Sequence, residues 1–236
     1  MSAFIRAPLE QGLAGSITRA DLQRQGASVF NLEAQIHVRS SFLIQPEIPY
    51  VTIARDNEVE DGFGDVIVRA KARAWTGDRK CLSIFSSLRL GSGSASLFPY
   101  STASTDMEAG VAFVDSVGSR GDGRALEPLR SLSYWAAASG VYVARLNDRL
   151  EEEELHGHYA AAGGGVIAAL TRKLEIEAGG LGLFFNTGAV REVYFSTMTA
   201  ALSPAMNLYL TVQGERGDWR ERAGDASATL GLAVRY

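Results

Sequence analysis

The sequence predicts an all-β protein, a closed antiparallel transmembrane β-barrel of twelve strands. Three observations point there. Apolar and polar residues alternate strictly in two long runs. The runs exceed the ~5–6 residues usual in globular strands and approach the ~9–11 of tilted membrane strands. The chain also ends on an aromatic residue behind alternating apolar ones.

The clearest alternation is Phe30-Asn31-Leu32-Glu33-Ala34-Gln35-Ile36-His37-Val38-Arg39, apolar at even and polar at odd positions. Side chains in a strand alternate between faces, so one face is greasy and the other charged. Val66 to Ala74 repeats the pattern, with Arg69, Lys71 and Arg73 sharing one face. Further strands are expected at Phe42–Ile53, Leu82–Leu90, Met107–Val114, Leu132–Arg145, Tyr159–Leu170, Leu174–Phe185, Val193–Leu202, Leu208–Gln213 and Ala226–Tyr236. That makes about eleven, and bacterial single-chain barrels use even numbers, so a twelfth is expected before Ala27. Ser16–Gln25 also has the spacing of a helical turn or two, or of irregular structure.

Composition agrees. The 236 residues include 25 Gly and only 6 Pro, a strand-and-turn usage. No apolar run approaches the ~20 residues of a membrane-spanning helix. A net charge of -4 offers no basic stripe for phosphates, so no nucleic-acid partner is expected. The single Cys81 excludes an internal disulfide and a cysteine zinc site. Met1-Ser2-Ala3-Phe4 lacks the basic and apolar regions of a secretory signal, so an exported protein would be represented here as its mature chain. The expected division is an N-terminal segment 1–28, a first strand or a periplasmic arm, followed by a barrel over 29–236.

Connections alternate too. Arg39–Ser41, Thr76–Lys80, Arg172–Lys173 and Ser203–Ala205 read as short turns. Ala54–Asp65, Gly91–Thr105, Asn147–Leu155 and Gly214–Asp225 read as long loops, the rim asymmetry of outer-membrane barrels. Ser116–Arg130 is long but falls on the short-turn rim.

In such a barrel the apolar face meets lipid, and Leu32, Ala34, Ile36, Val66, Val68 and Ala70 are expected there. The polar face meets the lumen, where Glu33, Gln35, His37, Arg39, Arg69, Lys71, Arg73, Arg89, Glu108, Glu175 and Glu177 are the candidate lining residues. The cations Arg69, Lys71 and Arg73 need the carboxylates of Glu33, Glu108, Glu175 and Glu177 across the lumen, or an anionic visitor. A soluble sandwich would instead spread these charges over a solvated surface.

Pro49-Tyr50-Val51, Gly62-Phe63-Gly64-Asp65-Val66, Val68 to Arg73, and Leu88-Arg89-Leu90-Gly91-Ser92-Gly93 before Thr105-Asp106 resemble outer-membrane proteins of the MetA pathway of phenol degradation. The resemblance spans Phe42 to Asn147 and rests on short motifs. Leu90-Gly91-Ser92 stands where that family usually has Pro-Thr-Gly. The resemblance implies a transporter-like outer-membrane barrel. Gly62 and Gly64 suit positive-φ positions at a loop-to-strand junction, with Asp65 bonding the turn backbone.

Leu230, Leu232, Val234 and the terminal Tyr236 resemble the signature read by the barrel-assembly machinery, making that machinery an expected partner through Leu230–Tyr236. Outer-membrane lipid and lipopolysaccharide are the other expected partners. No cofactor or metal is expected. His156-Gly157-His158 beside Glu151-Glu152-Glu153-Glu154 lacks a third His or Cys ligand and reads as a loop end. Gly163-Gly164-Gly165 has no following Lys-Ser/Thr and reads as close strand packing, not a phosphate loop. Tyr134, Trp135, Tyr142, Tyr209 and Trp219 suit a membrane interface or a packed core. No Gly-x-Ser-x-Gly elbow is present, and no enzyme is expected. The functional expectation is a small bacterial outer-membrane channel or transporter for a small solute. The alternative is a plugged structural barrel that works through an envelope protein partner.

Overall fold

The computed structural model describes residues 12–22, 25–55, 58–94, 97, 105–117, 131–143, 158–217 and 226–235. They form thirteen antiparallel segments: β1 (Gly12–Leu22), β2 (Gln25–Arg39), β3 (Phe42–Arg55), β4 (Glu58–Phe63), β5 (Val66–Thr76), β6 (Lys80–Leu90), β7 (Asp106–Val117), β8 (Ser131–Val143), β9 (Tyr159–Ala169), β10 (Leu174–Phe185), β11 (Val190–Ser203), β12 (Met206–Gly217) and β13 (Ala226–Arg235). β4 and β5 pair with successive stretches of β3, so the sheet has twelve strand positions. Apart from β4 and β5, which both pair with β3, each strand pairs with its sequence neighbours, and β1 pairs with both β2 and β13.

The strand expected before Ala27 is β1. It takes in most of Ser16–Gln25 and replaces the helical alternative there. The reason is that β1 has a ladder on each edge, which satisfies its backbone polar groups on both sides. Ala54–Asp65, expected as a long loop, is mostly the β3–β4 hairpin. Gly62 and Gly64 are corrected as well: among the described residues only Gly188 is a positive-φ glycine, at 88°. Gly62 pairs with Val51 inside the hairpin, and a Cβ there would stand 3.4 Å from the Leu97 side chain. Gly64 N–H donates to Pro49 O at 2.9 Å, while the Asp65 carboxylate accepts from Gly93 N–H at 3.0 Å. Asp65 thus ties the β6–β7 connection to the strand break.

Connections at 40–41, 77–79, 170–173 and 204–205 are short and share one rim, where β7 also ends and β8 begins. The three register shifts, at His37/Arg39, Arg73/Trp75 and Ala201/Ser203, sit at this same rim.

The two faces differ sharply. The outer one exposes Phe30, Leu32, Ile36, Val38, Ile84, Met107, Val111, Val166, Met198, Val212 and Leu230. An apolar face this extensive invites aggregation in water, whereas hydrocarbon is its matching solvent. The inner face buries two clusters. One joins Leu43, Phe85, Ala112, Trp135, Ile167 and Phe195 from six strands. The other sets Leu97 against Ala27, Val29, Val51 and Ile53. Among the described residues no helix is long and apolar enough to cross a membrane, which says nothing about strands.

Candidate functional site

Register alone brings much of the polar inner face together. Glu33 on β2 stands directly opposite Glu47 on β3, and Gln45 stands opposite Arg69 on β5. Arg69 forms an ion pair with Glu47. The Gln45 amide, 4% exposed, donates to Glu33 Oε2 at 2.8 Å. Gln35 is a further hydrogen-bond partner of Glu33. From the far side of β1, Tyr209 lies over Gly231, hydrogen-bonds Ser16 and comes within electrostatic reach of Glu33 and Glu47. A Cβ on Gly231 would fall 2.1 Å from the Tyr209 ring, so the glycine is what lets the phenol lie down.

A second polar group lies toward the long-loop rim. Arg89 faces Asp106 at 3.8 Å, and Glu108 accepts from Ser139 Oγ at 2.7 Å. Arg191 pairs with Glu215, to which Gln213 also donates at 3.1 Å. The Tyr159 phenol lies within electrostatic reach of Arg89, Asp106, Glu108 and Arg191.

The remaining expected lining residues take varied positions. Lys71, opposite Leu43 and Phe85, is 7% exposed. Glu177, opposite Ile167 and Thr197, is 1% exposed, and Glu175 lies one inward position nearer the short-turn rim, opposite Ala169 and Thr199. His37 is opposite Leu43, with a buried Nε2 that has no hydrogen-bond partner. Arg39 and Arg73 are exposed at the short-turn rim. The register shift after His37 sets Arg39 beside Phe42, so it does not continue the Glu33–His37 face.

Sequence reasoning missed Gln45, Glu47, Asp106, Tyr159, Arg191, Tyr209 and Glu215. Gln45 and Glu47 do continue the odd-position alternation from Leu43, but Pro46 and Pro49 obscure it. Arg191 and Glu215 meet only because β11 and β12 pair in the register they do.

Adjacent aromatics separate as strand alternation requires. Tyr134 is on the outer side, where its hydroxyl donates to Asp115 at 2.6 Å, and Lys80 lies 3.6 Å from the same carboxylate oxygen. Trp135 is on the inner side, 2% exposed and stacked with Phe195. Trp135 and Tyr209 are therefore inner-face residues, not interface ones, whereas Tyr142 is outward and stacks on His158 at 4.5 Å. His156, Glu151–Glu154, Trp219 and Tyr236 lie outside the described residues. Among the described residues no group of three His, Cys, Asp or Glu is set to hold a metal. Gly163–Gly165 packs as strand, with Leu181 against Gly163 and Trp135 against Gly165.

An antiparallel sheet of twelve strand positions, apolar outside and charged inside, is the fold of small bacterial outer-membrane β-barrels. The COG4313 outer membrane channel from Pseudomonas putida F1 aligns over 97% of this chain and 96% of its own, with a TM-score of 0.70 and 9% identity. The NanC porin aligns over 95% and 100%, with a TM-score of 0.64 and 10% identity. The KdgM porin in complex with disordered oligogalacturonate aligns over 94% and 99%, at 0.60 and 8%. These likenesses are of fold. No family model matches the chain. No curated protein matches it in sequence.

Proposed function

We propose that this chain is a small outer-membrane β-barrel channel for small solutes, closed on itself through the β1–β13 ladder. The observation that carries the proposal is the inversion of faces. Leu32 and Ile36 are about half exposed on the outer side, while Lys71, Gln45 and Glu177 are buried on the inner one. A water-soluble sandwich would have these reversed. The N-terminal segment supplies the first strand, and the charged inner face lines the path.

Two polar groups and an apolar cluster share that path. Charged groups held in low-dielectric walls focus their field on an entering solute. Leu43, Phe85, Ile167 and Phe195 narrow the route to a hydrophobic constriction, the kind that controls passage by dewetting. Conductance is therefore expected to be small. The short-motif likeness to the MetA-pathway proteins and the alternating Leu230–Tyr236 terminus agree with an assembled outer-membrane transporter.

The test is reconstitution of the folded chain into planar bilayers and liposomes. Discrete conductance steps together with swelling in small neutral or charged solutes support the channel. Stable insertion with neither signal rejects it.

A further inference from the structure

The carboxylates of Glu33 and Glu47 face the interior side by side from neighbouring strands. Arg69 forms an ion pair with Glu47 and reaches Glu33 only electrostatically. The hydrogen bonds to Glu33 come from the neutral amides of Gln45 and Gln35. Gln45 is the informative member. Its Nε2 is committed to Glu33, its side chain is almost wholly buried, and its Oε1 has no hydrogen-bond donor. A buried amide oxygen without a donor is destabilising, because it has given up its bond to water and gained none. Two carboxylates against one cation leave the cluster acidic, and burial raises the cost of an unbalanced charge.

Both deficits are of one kind: a missing positive hydrogen-bond donor. We infer that the Glu33–Gln45–Glu47 cluster is a subsite for the primary ammonium group of a solute. Such a group carries three donors and no acceptor. The Glu33 carboxylate, the Glu47 carboxylate and Gln45 Oε1 offer it three acceptors, and Tyr209 lies within electrostatic reach of both carboxylates. A hard divalent ion fits less well, because it seeks six or more oxygens and this cluster contributes two carboxylates and one amide. A quaternary ammonium has the charge but no N–H, so it leaves Gln45 Oε1 unsatisfied.

The inference deepens the channel reading and rests on it only for how the solute arrives. Binding and permeation are therefore measured separately. The full chain in detergent micelles is titrated calorimetrically with propylammonium, tetramethylammonium and magnesium chlorides, and liposome swelling is followed with the same amines. Propylammonium is expected to bind at least about tenfold more tightly than tetramethylammonium. Gln45→Met, which keeps the side-chain length and removes the oxygen, should weaken propylammonium more than tetramethylammonium. Glu33→Gln should weaken both. Heat-modifiable migration on gels verifies that each variant is folded, and Glu47→Gln serves in place of one that is not. Equal binding of the two ammonium ions, tighter binding of magnesium, or no binding of propylammonium overturns the subsite. Binding without swelling keeps the subsite and rejects the channel.

Discussion

Trp135 and Phe195 stack at 6.0 Å with an interplanar angle of 18°, and the surface beneath them is made of two glycines. The cross-strand row runs Trp135, Gly165, Gly179, Phe195 over four neighbouring strands. A Cβ on Gly165 would stand 2.9 Å from the indole nitrogen. One on Gly179 would stand 2.9 Å from Phe195 and 3.0 Å from Trp135. The missing side chains let two large rings lie against the wall.

Gly165→Val is accordingly expected to destabilise the barrel by about 1–3 kcal/mol, an overpacking cost. The new Cβ would also meet the Ala178 carbonyl oxygen at 2.5 Å, which a ring rotation cannot relieve. Gly140→Ala is the control: nothing lies within 4 Å of its Cβ position, and the change should stay within about 0.5 kcal/mol. Urea unfolding in micelles, followed by tryptophan fluorescence, compares the two.

Val68 sits on the outer side and Arg69 on the inner. Replacing Val68 with Arg should cost ~2–4 kcal/mol if it lies at mid-bilayer depth. Val68→Leu should be close to neutral. Folding titrations into lipid vesicles measure both, and equal stabilities would reverse the assignment of faces.

Removing one half of the Arg69–Glu47 pair leaves the other charge in a mostly buried wall. Glu47→Gln should cost about 1.5–3 kcal/mol, the range for a hydrogen bond to a charged group. The double variant Arg69→Met with Glu47→Met should recover part of the loss, because neither member of the pair is then left without the other. A double-mutant cycle in the same unfolding assay tests this, and additive losses would deny the coupling.

Leu97 is 1% exposed and anchors its connection against Ala27, Val29, Val51 and Ile53. Leu97→Ala should weaken that anchorage by about 2–5 kcal/mol. The expected readout is faster proteolytic cleavage between Gly91 and Thr105 with the barrel left intact. Unchanged cleavage would mean that Asp65 and its bond to Gly93 hold the segment alone.

Phe85 belongs to the buried apolar cluster in the interior. Phe85→Ser should widen and wet the constriction, and single-channel conductance should rise in planar bilayers. A fall or no change would shift the limiting step elsewhere.

The sequence by itself determined the strand class, nearly every strand and the two-faced character of the sheet. These follow from a period of two, which is local and survives without tertiary context. Glu33, Arg69 and Lys71 were legible as one polar face for that reason. Only the tertiary structure decided which charges meet, because a pair such as Arg69 and Glu47 depends on the register between strands. It also decided that Arg39 leaves the face, since a bulge shifts the alternation by one residue without any mark in composition. The same holds for the interior apolar cluster. Leu43, Phe85, Trp135 and Phe195 sit among polar residues on their own strands, and they become one cluster only when six strands carry them to a common place.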